Sequence, residues 1–156
     1  PKAEEPKMQT TLDVVVRDKG SDELITVPAS ATVAEAVAVM SEREVGAVLI
    51  MNEDGLVSGI FTERDVVVRV VKNGRDPRTT PISMVMTRDV TFVTPGTTIE
   101  AALSLMYVKR FRHLLVIDGP KVHGLLSLRD LAYQLIRRGE GRFEAAVRKE
   151  TPGSAG

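Results

Sequence analysis

Two four-residue stretches, Thr62-Glu63-Arg64-Asp65 and Ser127-Leu128-Arg129-Asp130, hold the residues best suited to chemistry. In each, a hydroxyl is followed two positions on by an arginine and three positions on by an aspartate. A hydroxyl at the start of a helix joins the first-turn N–H groups and the positive end of the helix in favouring an anion. The guanidinium of Arg64 or Arg129 presents a planar fork that matches phosphate. Asp65 or Asp130, one turn in, can accept two hydrogen bonds from the vicinal hydroxyls of a ribose. Phosphate donors beside a ribose acceptor point to a nucleotide.

The plainer reading of the same residues is a helix start. Thr62 caps and Asp65 complements the dipole, together stabilising by about 1 kcal/mol. That covers the hydroxyl and the acid. It leaves the arginines unexplained, because a cation in the first turn of a helix is mildly unfavourable.

The elements that must position these residues are themselves duplicated. GIFTERD at Gly59–Asp65 returns as GLLSLRD at Gly124–Asp130, a spacing of 65 residues. Upstream, ITVPASATVAEAVAVM (Ile25–Met40) aligns with TFVTPGTTIEAALSLM (Thr91–Met106) at a spacing of 66. One residue is lost where NEDGLVSG faces DGPKVHG, turn-rich segments in which hairpin loops tolerate a length change. A repeat of this period is a duplicated structural unit. Gly59 marks a bulge or a close backbone approach.

Each unit predicts the order β-α-β-β-α. Short strands at residues 25–27 and 91–93 lead through a turn into helices. The first helix carries Val33, Ala36, Val37 and Met40 on one apolar face. Thr32 with Glu35, and Thr97 with Glu100, have capping-box spacing. Apolar strands at 47–51 and 114–117 are followed by strands at 56–61 and 122–126 and by closing helices at 63–73 and 128–138. Gly74 and Gly139 stand where helices stop. The fold class is α/β (α+β), with sheets covered by helices. The expected organisation is a tail at 1–11, a first motif at 12–74, a packed connector at 75–87, a second motif at 88–139 and a tail at 140–156. Met40, Met84, Met86 and Met106 are expected as core filler.

Composition narrows the function classes. Lys plus Arg and Asp plus Glu each number 21 in 156 residues, so no overall charge steers the chain to nucleic acid or an anionic membrane. Lys109-Arg110-Phe111-Arg112 is a basic-aromatic cluster. With four Phe, two Tyr and no Trp, however, platforms for stacking RNA bases are scarce. The absence of cysteine removes thiol chemistry and disulfides and fits a cytoplasmic protein. Only His113 and His123 could join carboxylates at a metal, so no metal site is expected. The opening PKAEEPKMQTT is charged rather than leader-like, and no apolar run reaches the ~20 residues of a bilayer span. No Ser/His/acid constellation is discernible, which points away from an enzyme.

Together the ITVPASATV and TFVTPGTTI starts, the VGAVLI and FRHLLVI strands, PISMVMTRDV and the paired G-h-h-[ST]-x-R-D segments resemble a tandem pair of CBS domains. This is the cystathionine-β-synthase motif pair, or Bateman module. The resemblance spans about residues 12–138. It implies two motifs packed sheet to sheet with pseudo-two-fold symmetry, and clefts that take adenosine-containing ligands. AMP, ADP or ATP is the implied ligand, with S-adenosylmethionine or NAD(H) as alternatives.

Carried over by position, Asp65 and Asp130 take the ribose hydroxyls, while Thr62, Ser127, Arg64 and Arg129 face phosphate. The backbone at Val27, Pro28, Val93 and Thr94 meets the adenine edge, with Ala47 or His113 lining its neighbourhood. Arg112 and His113 match a basic pair of the family that points at phosphate. The first motif has Gly46 and Ala47 there, so two unequal sites are implied. The family also implies a regulatory role with no required cofactor, acting through a homodimer or an unidentified protein partner. A structural dimerisation module with vestigial clefts is the competing reading.

Overall fold

The computed structural model describes residues 9–20 and 24–138, which form two compact units. In the first, β1 (Thr26–Pro28), α2 (Val33–Glu42), β2 (Ala47–Met51), β3 (Val57–Thr62) and α3 (Glu63–Asp65) follow one another. α3 runs on as a π-helical stretch, Val66–Val71. The sheet order is β1-β2-β3, with β1 parallel and β3 antiparallel to β2. The parallel pair requires a crossover, which α2 supplies. Thr32 and Glu35 form the full capping box that starts α2. Val33, Ala36 and Met40 then reach the core with Val48, Ile50 and Phe61. Val37 lies at the edge of that face, 37% exposed.

The second unit repeats this order. β4 (Phe92–Val93), α4 (Ile99–Lys109), β5 (His113–Asp118), β6 (Lys121–Ser127) and α5 (Leu128–Arg138) surround a core of Ile99, Ala102, Met106, Leu114, Val116, Leu126 and Leu131. Its sheet order is β4-β5-β6. The cap of α4 differs from the sequence expectation. Thr98, not Thr97, caps, accepting a hydrogen bond from the Ala101 N–H at 3.1 Å. Ile99 must enter the core one residue later, and the Thr97 N–H is committed to the preceding turn through Thr94 O. Gly74 stops its helix at φ 65°, whereas Gly139 lies outside the described residues.

Grouped by packing rather than chain order, α1 (Leu12–Asp18) goes with the second motif. Leu12 and Val15 are buried against Ile99, Leu126 and Leu131. The connector ahead of the second motif does the same for the first, burying Ile82, Val85 and Met86. The two attachments use matching backbone bonds. Leu12 N–H donates to Thr97 O and Ile99 N–H to Thr10 O, as Ile82 N–H donates to Ala31 O and Val33 N–H to Thr80 O. Met84 departs from its expected core role. It is 60% exposed, because the 3₁₀ turn Ile82–Met84 turns Ile82 and not Met84 inward.

The motif glycines face these entry segments. A Cβ on Gly59 would stand 2.8 Å from the Thr87 carbonyl oxygen and 2.8 Å from Met86 Sδ. On Gly124 it would stand 3.5 Å from a Val16 methyl, ordinary contact. Both glycines adjoin a bulge, since pairing shifts between Ile50 and Met51 and between Val116 and Ile117.

Candidate functional site

Thr62 closes β3 and caps α3, so strand and helix meet at its hydroxyl. The Thr62 N–H donates to Asp65 Oδ2 at 2.9 Å, and the Asp65 N–H donates back to Thr62 Oγ1 at 3.3 Å. The Thr62 hydroxyl also lies 3.1 Å from Asp65 Oδ2. Asp65 Oδ1 pairs with Arg69 Nε at 3.4 Å. Arg69 in turn donates to the carbonyls of Met86 at 3.1 Å and Val85 at 3.4 Å. A buried carboxylate is stable only when paired and hydrogen-bonded, and Asp65 has both kinds of partner.

The second motif keeps the box and changes the cation. The Ser127 N–H donates to Asp130 Oδ2 at 2.8 Å, and the Asp130 N–H to Ser127 Oγ at 3.1 Å. Lys19, just past α1, places its ammonium 3.0 Å from Asp130 Oδ2 and donates to Leu125 O at 3.0 Å. The residue matching Arg69 is Gln134, which is buried. It donates to Asp18 at 3.5 Å and accepts from Arg138 at 3.3 Å.

The sheets align further site residues with these boxes. Ala47 is opposite Thr62, and His113 is opposite Ser127. Arg64, Arg112 and Arg129 are exposed, and His113 is half-buried. At each helix start two N–H groups are not available to an anion, contrary to the expectation of free donors. Glu63 N–H donates to Gly46 O and Leu128 N–H to Arg112 O, while the Asp65 and Asp130 N–H groups close their boxes.

Within one unit the adenine-edge residues are not gathered with the boxes. Val27 pairs with Ile50 and Pro28 with Met51, at the far end of β2 from Ala47. At ~3.3 Å per residue, Pro28 is roughly 13 Å along the sheet from Ala47. Val93 pairs with Val116, roughly 10 Å along from His113 by the same rise, and Thr94 follows it, exposed. His123 lies 3.7 Å from Asp118, four residues along β6 from Ser127. Among the described residues no group of three or more His, Cys, Asp or Glu could hold a metal ion. No helix there is long and apolar enough to cross a membrane.

Sequence reading missed Arg69 and Lys19. Arg69 had a signal, an acid followed four residues later by a base on one helix face. Lys19 had none, being 111 residues from its partner.

A duplicated β-α-β-β-α unit, closed at each strand-to-helix junction by a hydroxyl–carboxylate box, defines a tandem-repeat module. The chain belongs to the CBS-domain family, whose model matches residues 15–72 and 82–137. It is 39% identical over 120 residues to the CBS domain-containing protein CBSCBSPB3 of Arabidopsis thaliana, a match covering 77% of this chain and 22% of that one. The chain thus spans about a fifth of that relative's length. A putative signal-transduction protein with CBS domains from Burkholderia ambifaria superposes with a TM-score of 0.78 at 32% identity, covering 82% of this chain and 95% of that one. A CBS domain protein from Pyrobaculum aerophilum, solved in complex with AMP, shares the fold with a TM-score of 0.71 at 21% identity, covering 85% of this chain and 98% of that one.

Proposed function

We propose that this chain is a regulatory module that binds an adenosine nucleotide of the AMP, ADP or ATP type. The observation that carries the reading is the pair of hydroxyl–carboxylate boxes. Thr62 with Asp65 and Ser127 with Asp130 have the same internal hydrogen bonds, each with a cation at the carboxylate. A helix cap alone requires neither an arginine before the aspartate nor a second copy. Ribose hydroxyls donate to Asp65 or Asp130, displacing part of the existing cation pairing. Phosphate is met by the hydroxyls and by Arg64 or Arg129. Arg112 and His113 add charge at the second motif where the first has Gly46 and Ala47, so the two sites differ in affinity. The AMP complex of the Pyrobaculum protein supports the ligand class.

The role is regulation rather than catalysis. A nucleotide shifts an equilibrium only by its difference in affinity for two states, and the output passes to a homodimer or to a protein partner. Calorimetry and thermal melting with AMP, ADP, ATP, NADH and S-adenosylmethionine test this. At a hundredfold excess over Kd, a ligand bound only by the folded chain stabilises it by about 2.7 kcal/mol. For a chain of this size that raises Tm by roughly 5–10 °C. No shift with any adenosine compound would leave the dimerisation module with vestigial clefts as the better reading. A response to NADH or S-adenosylmethionine alone would move the ligand class.

A further inference from the structure

The two boxes share their internal hydrogen bonds but differ in the acceptor positions they leave open. A carboxylate offers about four lone-pair positions on its two oxygens. On Asp65, the Thr62 N–H and the Thr62 hydroxyl both address Oδ2, and Arg69 Nε addresses Oδ1 at 3.4 Å. On Asp130, the Ser127 N–H and Lys19 both address Oδ2, and among the described residues no contact falls on Oδ1. The second carboxylate thus has a whole oxygen to offer, while the first has one oxygen filled and the other shared. Exposure runs the same way, since the Asp130 side chain is 23% exposed and that of Asp65 12%.

Arg69 is also fixed in place. Its Nη1 donates to the carbonyl oxygens of Met86 at 3.1 Å and Val85 at 3.4 Å while Nε faces Asp65. A planar guanidinium joins these partners at once, which the single ammonium of a lysine would not. The counterpart in the second motif is Gln134, whose partners are Asp18 and Arg138 rather than Asp130.

We propose that Arg69 sets the affinity of the first site by occupying the oxygen that a ribose diol would take, so that the second site fills before the first. Two hydroxyls arriving at Asp65 must displace Arg69 or the Thr62 hydroxyl. At Asp130 they find both lone pairs of Oδ1, with the Lys19 pair intact. The arginine therefore stabilises the first box in its empty form and opposes the ligand there. Arg112 and His113 favour the same order of filling, so only a change at Arg69 itself isolates its part. This proposal rests on the nucleotide reading of the boxes.

Calorimetric titration with AMP and with ATP tests it in variants that isolate each site. Asp130→Ala leaves the first site and Asp65→Ala the second. The first should bind about tenfold more weakly, the equivalent of one hydrogen bond to a charged group. Arg69→Gln installs the residue of the other repeat. Added to Asp130→Ala, it should strengthen the remaining site by about the same factor. Without nucleotide, the same substitution should lower Tm. A gain of affinity with a loss of stability separates this role from a merely structural one, which would lower both. Arg69→Lys keeps a cation for the connector carbonyls without the fork, should fall between, and serves where Arg69→Gln does not fold. A first site as tight as the second, or one that either Arg69 variant leaves unchanged or weakens, would overturn the role of Arg69 and leave nucleotide binding standing. Failure of the parent chain to bind either AMP or ATP would overturn both.

Discussion

The two boxes share a sequence signature and differ in where their cation comes from. Asp65 takes Arg69 from its own helix, four residues on. Asp130 takes Lys19 from the segment after α1, across 111 residues of chain. The helices differ accordingly. After Asp65 come Val66, Val67 and Val68, β-branched residues of modest helix propensity, and the turn widens to a π-helix. After Asp130 come Leu131, Ala132 and Tyr133 in a regular α-helix, with Gln134 in place of arginine. The first site is locally assembled. The second is complete only when the amino-terminal segment is seated, so the proposed ribose acceptor and the docking of that segment share one carboxylate.

The largest expected effect is on the ribose role. Asp65→Ala and Asp130→Ala should each abolish or weaken by at least tenfold one nucleotide site, since two hydrogen bonds to a charged group are worth about 1.5–3 kcal/mol each. Calorimetry should show one site lost per substitution. Equal binding by the parent and both variants would remove the assigned role.

Glycine substitution comes next and should separate the repeats sharply. Gly59→Ala meets a backbone oxygen and should cost roughly 1–3 kcal/mol as overpacking. Gly124→Ala meets only methyls at contact distance and should lie within about 0.5 kcal/mol of the parent. Urea unfolding reads both, and equal costs would mean that the entry segments pack alike.

The cations should follow at smaller scale. Arg69→Met removes a partner from a buried carboxylate and two carbonyl contacts, an expected loss of about 1–3 kcal/mol. Lys19→Met should cost at most about 1 kcal/mol, because Asp130 is more open to solvent than Asp65. Lys19→Met should also change nucleotide affinity at the second site and leave the first unaltered, which site-resolved calorimetry would show.

The smallest effect separates neighbouring threonines. Thr98→Ala should cost about 1 kcal/mol as a lost cap. Thr97→Ala should cost a few tenths, since its backbone and not its hydroxyl makes the turn bond. The reverse order would return the cap to Thr97.

Much of this was legible in sequence because it is written locally. Helical and strand periods, the Thr32–Glu35 box and the spacing of Thr62 and Ser127 from their aspartates all act within a few residues. The duplication then showed each local pattern twice. The error at Thr97 was of the same local kind. Two adjacent threonines offer nearly equal capping signals, and the core position of Ile99 decides between them. Met84 illustrates the other limit, since its apolar character does not reveal which side of a 3₁₀ turn it will occupy.

By itself, then, the sequence determined the repeat, the β-α-β-β-α order and the two hydroxyl–carboxylate pairs, because short-range hydrogen bonds and hydrophobic period encode them. Tertiary structure alone decided that each motif is completed by the segment preceding the other, that Gly59 is crowded where Gly124 is not, and that Lys19 serves Asp130. Those outcomes depend on which distant groups meet when two cores close, and no pattern within a few residues of either partner carries that information.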